Sequence, residues 1–396
     1  MFYLIVLPFL LLVFFLDRNS TNALSFQSPP SRISITTLAA SQRQHHIYYD
    51  SSNNLHRDIK YHPEQALRID ACVKALQTCE LLASSPSKTT KWNLIDAASN
   101  EELTEAELTH ARDMVVLAHS EEYVSRIERK CRDSKQRRID DGKPPLGFIG
   151  YVDDDTYMTT ETYDVCLRAT AMWIRAVDHA LDGGERTAFV LSRPPGHHAT
   201  RKLSNGFCFF NFMAAAALHA VARSGVTKLS ILDWDIHYGQ GVADIVRGNP
   251  AIRYASIHQV PAFPFMGETL EVTDNIKTIP IDPGTTWDSN YETQFMEQAL
   301  PFVVDEDWVP DLVLVSSGYD GMASDELATS NLVAKDFATM TRLLKERLES
   351  YETAGNRSPA LMMGMEGGYQ LGENVMGGGL PEGFIETIKA LDDVYG

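Results

Sequence analysis

The chain has 396 residues, 44% of them hydrophobic and 22% charged, with a formal net charge of -18. These values fit a soluble globular protein with room for one large α/β domain or two ordinary ones. The acidic balance argues against direct nucleic-acid binding, which needs clustered Lys and Arg, and tolerates basic peptide partners. The five cysteines (Cys72, Cys79, Cys131, Cys166 and Cys208) are scattered and form no CxxC pair. Neither a disulfide framework nor a zinc knuckle is expected, and most should be buried thiols.

In chain order, residues 2–16, FYLIVLPFLLLVFFL, make an apolar run. It is short for a membrane span and suits the core of a signal peptide; a signal anchor is the alternative, because no positive segment precedes it. From Arg18 to Tyr49 there is no acidic residue, while Ser, Thr and Arg are common, as in transit peptides. Residues 1–45 are therefore expected to be a targeting presequence, and 46–396 a folded domain with no stable membrane span. A signal followed by a transit segment resembles the bipartite presequences of algae with complex plastids, and NALSFQSPP (22–30) loosely resembles their cleavage motif. A plastid address is expected, with the secretory pathway, endoplasmic reticulum or mitochondrion as alternatives. Two glycosylation sequons, at Asn19 and Asn356, matter only if the chain meets the secretory lumen.

Residues 62–83 have helical periodicity, and Ser120 is placed to cap a helix over 120–131. Residues 132–147, charged and containing proline, read as an exposed loop. Another helix is expected over 159–181, ending at Gly183-Gly184. Beyond it, apolar runs of strand length alternate with helical stretches. The strands are 187–192, 228–234, 252–257, 311–317 and 360–365, and the helices 212–225, 241–248, 290–300 and 333–351. Such alternation predicts a single three-layer α/β domain, a parallel sheet with helices on both faces. Ligands bind such sheets at the carboxyl ends of the strands.

Four of these strands run into polar residues unusual for a core. They lead to Arg193-Pro194-Pro195-Gly196-His197-His198, to Asp233-Trp234-Asp235-Ile236-His237, to Gly318-Tyr319-Asp320, and to Glu366-Gly367-Gly368-Tyr369. On a strand, Asp233, Asp235 and His237 would share one face and Trp234 and Ile236 the other. Two carboxylates and an imidazole gathered in one patch need a cation. Asp235, His237 and Asp320 can give zinc three ligands and leave a position open, with Asp233 behind them. His197 and His198 then read as acid/base groups rather than ligands, and Tyr369 as a donor to a developing oxyanion. The bland alternative for the DxDxH stretch alone is a set of helix caps and loop ion pairs.

Together, RPPGHHA (193–199), GFCFFN (206–211), DWDIHYGQG (233–241), SSGYDGMASDELA (316–328) and MEGGYQL (365–371) resemble the histone deacetylase family, nearer its class II branch. The resemblance runs over about residues 46–396 and implies an arginase/deacetylase fold. It implies zinc on Asp235, His237 and Asp320, His198 as general base, His197 as its electrostatic or acid partner, and Tyr369 polarising the carbonyl. It implies an acetyl-lysine tunnel between Phe207, next to Gly206, and Phe263, with Phe265 as the alternative wall. Asp155 resembles the rim aspartate that holds the substrate backbone, with the adjacent Asp153 and Asp154 as other registers. A structural potassium ion is implied at Asp233, Asp235, His237, Ser256 and Ile257. Gln240 stands where relatives carry Asp or Asn beside the base. Leu327 stands where polyamine-deacetylating relatives carry Glu, which favours an acetylated protein or peptide. The rivals are a deacetylase of acetylpolyamines or another small N-acetylated metabolite, and a non-catalytic acyl-lysine binder.

Overall fold

The computed structural model describes residues 44–392, apart from 59, 80, 83–90, 100, 183–185, 353–357 and 373–374. Residues 1–43 of the expected presequence, the helix end at Gly183-Gly184, and Asn19 and Asn356 of the two sequons lie outside the described residues. Residues 42–396 cluster as one compact unit.

Eleven strands occur among the described residues: β1 (Gln44–Tyr49), β2 (Lys91–Asp96), β3 (Phe148–Tyr151), β4 (Tyr157–Thr159), β5 (Thr187–Leu191), β6 (Leu229–Asp233), β7 (Ile252–Gln259), β8 (Glu271–Val272), β9 (Ile276–Ile281), β10 (Leu312–Ser317) and β11 (Ala360–Met365). Nine of them form one sheet in the order β2-β1-β5-β11-β10-β6-β7-β9-β8. All its pairings are parallel except β8 with β9. β3 and β4 make a separate antiparallel hairpin. The order matters for function. The last two strands of the chain insert between β5 and β6, so the four strands with polar ends become consecutive neighbours at the centre of the sheet.

Side-chain alternation divides the core between the two faces of the sheet. Ala188, Val190, Ile231, Leu314 and Met362 join one cluster, with helices Glu105–Ala118, Thr162–Asp182 and Phe212–Ala222. Phe189, Leu191, Leu232, Val313, Val315 and Met363 join the other, with helices Leu67–Thr78, Ala334–Glu349 and Leu380–Asp392. Because both faces are covered, the central strands are apolar throughout rather than alternating, which is why they read plainly in the sequence.

Several expectations need correction. The helix capped by Ser120 runs from Glu121 to Asp140, well into the segment expected as a loop. Its buried Tyr123, Val124, Ile127, Cys131 and Ser134 form a narrow stripe that the surrounding charges hid. The domain begins earlier than residue 46, since β1 starts at Gln44 and pairs with β2 and β5. The helix expected from residue 62 begins at Leu67. The segment 287–303 alternates between π-helical and α-helical turns rather than forming one regular helix. β6 ends at Asp233, so Asp235 and His237 of the DxDxH stretch lie beyond the strand.

Candidate active site

Past the end of β6, carboxylates take over the work of the ladder. Asp233 Oδ1 accepts from the amide of Asp235 at 3.2 Å, and Asp235 Oδ1 accepts from the amide of His237 at 2.9 Å. Each aspartate bends the chain back onto its own backbone two residues later. Trp234 and Ile236 still turn into the opposite core cluster, so the two-residue alternation survives without a strand. At the neighbouring end of β10, Asp320 reaches across, and its Oδ1 accepts from the amide of Ile236 at 3.1 Å.

This brings Asp235, His237 and Asp320 together, fully buried, with one ligand atom from each lying within 4.8 Å of the others. His237 Nδ1 is 3.0 Å from Asp320 Oδ2 and 3.3 Å from Asp235 Oδ1. A tetrahedral ion with bonds of about 2.0–2.2 Å separates its ligands by roughly 3.3–3.6 Å, so the trio needs little rearrangement to hold zinc. Burial opposes a charge on His237, yet Asp320 and Asp235 outweigh it and raise its pKa well above the usual range. The carboxylate pair thus favours positive charge at this point. The backbone is shaped to it as well: a Cβ on Gly367 would strike the carboxylates of both Asp320 and Asp235.

The two histidines differ in environment. His197 Nδ1 is 3.2 Å from Asp233 Oδ2, and its Nε2 is 3.8 Å from Asp235 Oδ1. Burial lowers its pKa, but Asp235 and Asp233 prevail and raise it to about 10. Asp233 is itself held by the Tyr254 hydroxyl, which donates at 2.8 Å. His198 Nδ1 meets Gln240 Oε1 at 2.7 Å, while Gln240 Nε2 donates to the His198 carbonyl at 3.2 Å. That second bond fixes the amide orientation, so His198 carries its proton on Nδ1 and leaves Nε2 as a lone pair. Burial first, and then the neighbouring His197 and His237, hold its pKa well below the usual range.

A cavity of about 120 Å³ opens onto these groups. It is lined by Asp155, His198, Gly206, Phe207, His237, Phe263, Leu327 and Tyr369. Phe207 packs edge-on against Tyr369 at 5.6 Å between centroids, and Phe263 edge-on against His198 at 4.8 Å. Phe265 is 74% exposed, so of the two expected residues it is Phe263 that lines this cavity. Gly206 has φ +52, and a Cβ there would press on both His198 and Phe263. Phe207 also has a positive φ, 69°, a conformation costly for a bulky side chain and retained here by its amide bond to Thr156 Oγ1 at 2.9 Å. At the rim Asp155 is exposed, with its backbone carbonyl accepting from His62 Nε2 at 2.8 Å. The Tyr369 hydroxyl stays protonated because burial drives its pKa far up, against the pull of Arg68. Ser256 and Ile257 are buried on β7, with Ser256 in register beside Asp233.

Residues 62–377 match the family described as the histone deacetylase domain. The chain belongs to the histone deacetylase family. An uncharacterized protein of Synechocystis is 35% identical over 87% of this chain and 98% of its own length. The chloroplastic histone deacetylase 10 of rice is 30% identical over 83% of this chain and 70% of its own length. Among solved structures, the HD domain of HDA15 superposes with a TM-score of 0.69 at 23% identity, covering 88% of this chain and 89% of that one.

As a histone deacetylase family member the protein is a hydrolase, and its candidate site rests on a buried ionic frame only half of which lies in the motifs. Arg193, next to the histidines, makes a two-pronged pair with Glu64, both contacts at 2.7 Å. Arg193 also donates to the carbonyls of Asn53 and His56 and to the Tyr157 hydroxyl, each at 2.7 Å. Arg68 donates to the carbonyls of Gly368 and Glu366, and its guanidinium sits 4.7 Å from the centre of the Tyr369 ring. Glu366 Oε2 accepts from the amides of Gly196 and His197 at 2.7 and 3.2 Å. Arg193 and Glu366 stand inside quoted motifs and could have been singled out there. Glu64 and Arg68 belong to a stretch that reads as an ordinary amphipathic helix, where charges are expected to face water.

Proposed function

We propose that this chain removes acetyl groups from lysine side chains of a protein or peptide, using one zinc ion held by Asp235, His237 and Asp320. The observation that supports this most is the cavity of about 120 Å³ whose lining brings Phe207 and Phe263 together with His198, His237 and Tyr369. An opening lined by two aromatic rings suits an unbranched methylene chain carrying an acyl group at its tip. When bound, zinc polarises the acetyl carbonyl and makes water more acidic. His198 Nε2 accepts a proton from the attacking water, as its neutral state and free lone pair allow. Tyr369 donates its hydroxyl proton in a hydrogen bond to the oxygen that gains charge. His197, protonated and anchored on Asp233, adds positive charge behind the site, against the His198 ring. As the C–N bond breaks, a histidine protonates the departing amine, and the products are acetate and the lysine side chain.

A potassium ion at Asp233, Asp235, His237, Ser256 and Ile257 completes the proposal, since carboxylate, hydroxyl and carbonyl oxygens suit a hard cation. The substrate preference rests on Leu327. It lines the cavity, while the neighbouring Glu326 turns its carboxylate to the Tyr61 hydroxyl at 3.0 Å. A secondary ammonium group of an acetylpolyamine would find an apolar wall there. The plastid address is supported by the composition of residues 1–45 and by the chloroplastic relative, and the natural substrate would then be an organellar protein. The test is turnover of an acetyl-lysine peptide against acetylspermidine, with and without chelator. The peptide should be the better substrate and should depend on metal. Preference for acetylspermidine would favour a small-molecule deacetylase. Tight hydroxamate binding with no turnover of any acylated compound would mean a binder.

A further inference from the structure

Asp325 takes no part in the chemistry above, yet it joins two walls of the site. It is 7% exposed and lies between Asp320 and the cavity-lining Leu327. Its Oδ1 accepts from the amide of Leu327 at 3.0 Å. Its Oδ2 accepts from the amides of Tyr369 and Gln370 at 2.7 and 3.3 Å. One carboxylate therefore fastens the loop that carries the phenol to the loop that carries the acyl-chain wall.

The need for such a fastening is visible in the backbone. Tyr369 follows Gly367 and Gly368, and Gly368 has φ +112. Arg68 fixes the Gly368 carbonyl at 2.8 Å, and Asp235 Oδ2 fixes the Gly367 amide at 2.8 Å. Past that point the amides at Tyr369 and Gln370 are held by Asp325. Glycine-rich backbone gains most freedom when a restraint is removed, and a displacement of about 1 Å in a catalytic group is enough to slow a reaction markedly.

We propose that Asp325 is a positioning residue that sets the Tyr369 hydroxyl at the reacting carbonyl and keeps it in register with Leu327. This rests on the reading of Tyr369 as the donor to the developing oxyanion. The test uses the zinc-loaded chain and its Asp325→Asn, Asp325→Glu and Tyr369→Phe variants, with rates normalised to bound zinc so that misfolded protein is not counted. Two peptides are compared, one with acetyl-lysine and one with trifluoroacetyl-lysine, whose electron-poor carbonyl needs less help from a donor.

Asp325→Asn should lower kcat on acetyl-lysine roughly tenfold to hundredfold with KM changed by less than about threefold. On trifluoroacetyl-lysine the loss should be about threefold or less. In the Tyr369→Phe background, adding Asp325→Asn should cost no more than about twofold, because the two act through one group. Equal losses on both peptides, losses that multiply with Tyr369→Phe, or an unchanged kcat would each overturn the proposal. If Asp325→Asn binds no zinc, Asp325→Glu, which keeps the charge, carries the same comparison. Failure of the wild-type chain to turn over either peptide would overturn the deacetylase reading itself, and is seen before any variant is made.

Discussion

The side-chain carbonyl of Gln240 lies 2.7 Å from Nδ1 of His198 and gives that histidine a neutral partner. A carboxylate in this place would stabilise the protonated imidazole, whereas an amide does not. The proposed role of His198 as a base requires its neutral form, so activity should rise with pH through its pKa. With the amide, that acid limb should sit well below neutrality. Gln240→Glu should move it upward by about one pH unit or more, so that the variant loses a larger share of its rate than the wild type on the acid side and matches it at high pH. A pH profile of kcat/KM for the two proteins checks this; coincident acid limbs would remove His198 as the titrating base.

The Glu64–Arg193 pair makes a statement about stability. Burial pushes the Glu64 carboxyl up, but Arg193, His56 and Arg68 outweigh it and hold its pKa at about 2, against an ordinary value of 4.5. Its contribution is complete above pH 4.5 and is lost as pH falls from 4.5 towards 2. A shift of this size corresponds to roughly 3 kcal/mol. Glu64→Gln should destabilise the protein by about 3–5 kcal/mol at pH 7 by leaving Arg193 buried without its counter-charge. Urea midpoints should show that gap narrowing from pH 4.5 downward. A constant gap would mean that Glu64 does not carry the acid sensitivity.

Gly367 has no room for a methyl group. A Cβ there would meet the carboxylates of Asp320 and Asp235. Gly367→Ala should push both aside, cut zinc content to a small fraction of one per chain, and lower kcat/KM by about a hundredfold or more. Metal analysis beside the assay separates this from global unfolding, which circular dichroism would report. Chelator treatment of the wild type should reproduce the loss, and added zinc should restore activity in the wild type only.

Leu327 offers a gain of function. Leu327→Glu places a carboxylate on the cavity wall where a cationic polyamine chain would pass. Its kcat/KM on acetylspermidine should rise by about tenfold or more, as expected for a new charge pair partly shielded from water, and its activity on an acetyl-lysine peptide should fall. Parallel assays of both substrates decide it. No change in their ratio would show that Leu327 does not set the preference.

Much of this protein was legible in its sequence because the signals were local. β5, β6, β7, β10 and β11 are short apolar runs, and a strand buried on both faces announces itself in that way. The candidate site residues sit directly after four of those runs, so the rim on which they gather followed from the rule for parallel sheets. The Ser120 cap was equally readable, since its hydroxyl needs only the amide of Tyr123 three residues on. What the sequence could not supply was anything that depends on distant segments meeting. The insertion of β10 and β11 between β5 and β6 makes the four motifs neighbours, and no local pattern encodes that order. The bends that carry Asp235 and His237 beyond β6 come from side chains folding onto the backbone, not from strand geometry. The pairing of Glu64 with Arg193, 129 residues apart, turns charges that looked solvent-facing into the buried frame of the site. Residue order sets which groups are available and roughly where they lie along each element. Tertiary packing alone decides which become neighbours in a place without water, and there a single carboxylate or guanidinium gains the strength to fix a catalytic loop.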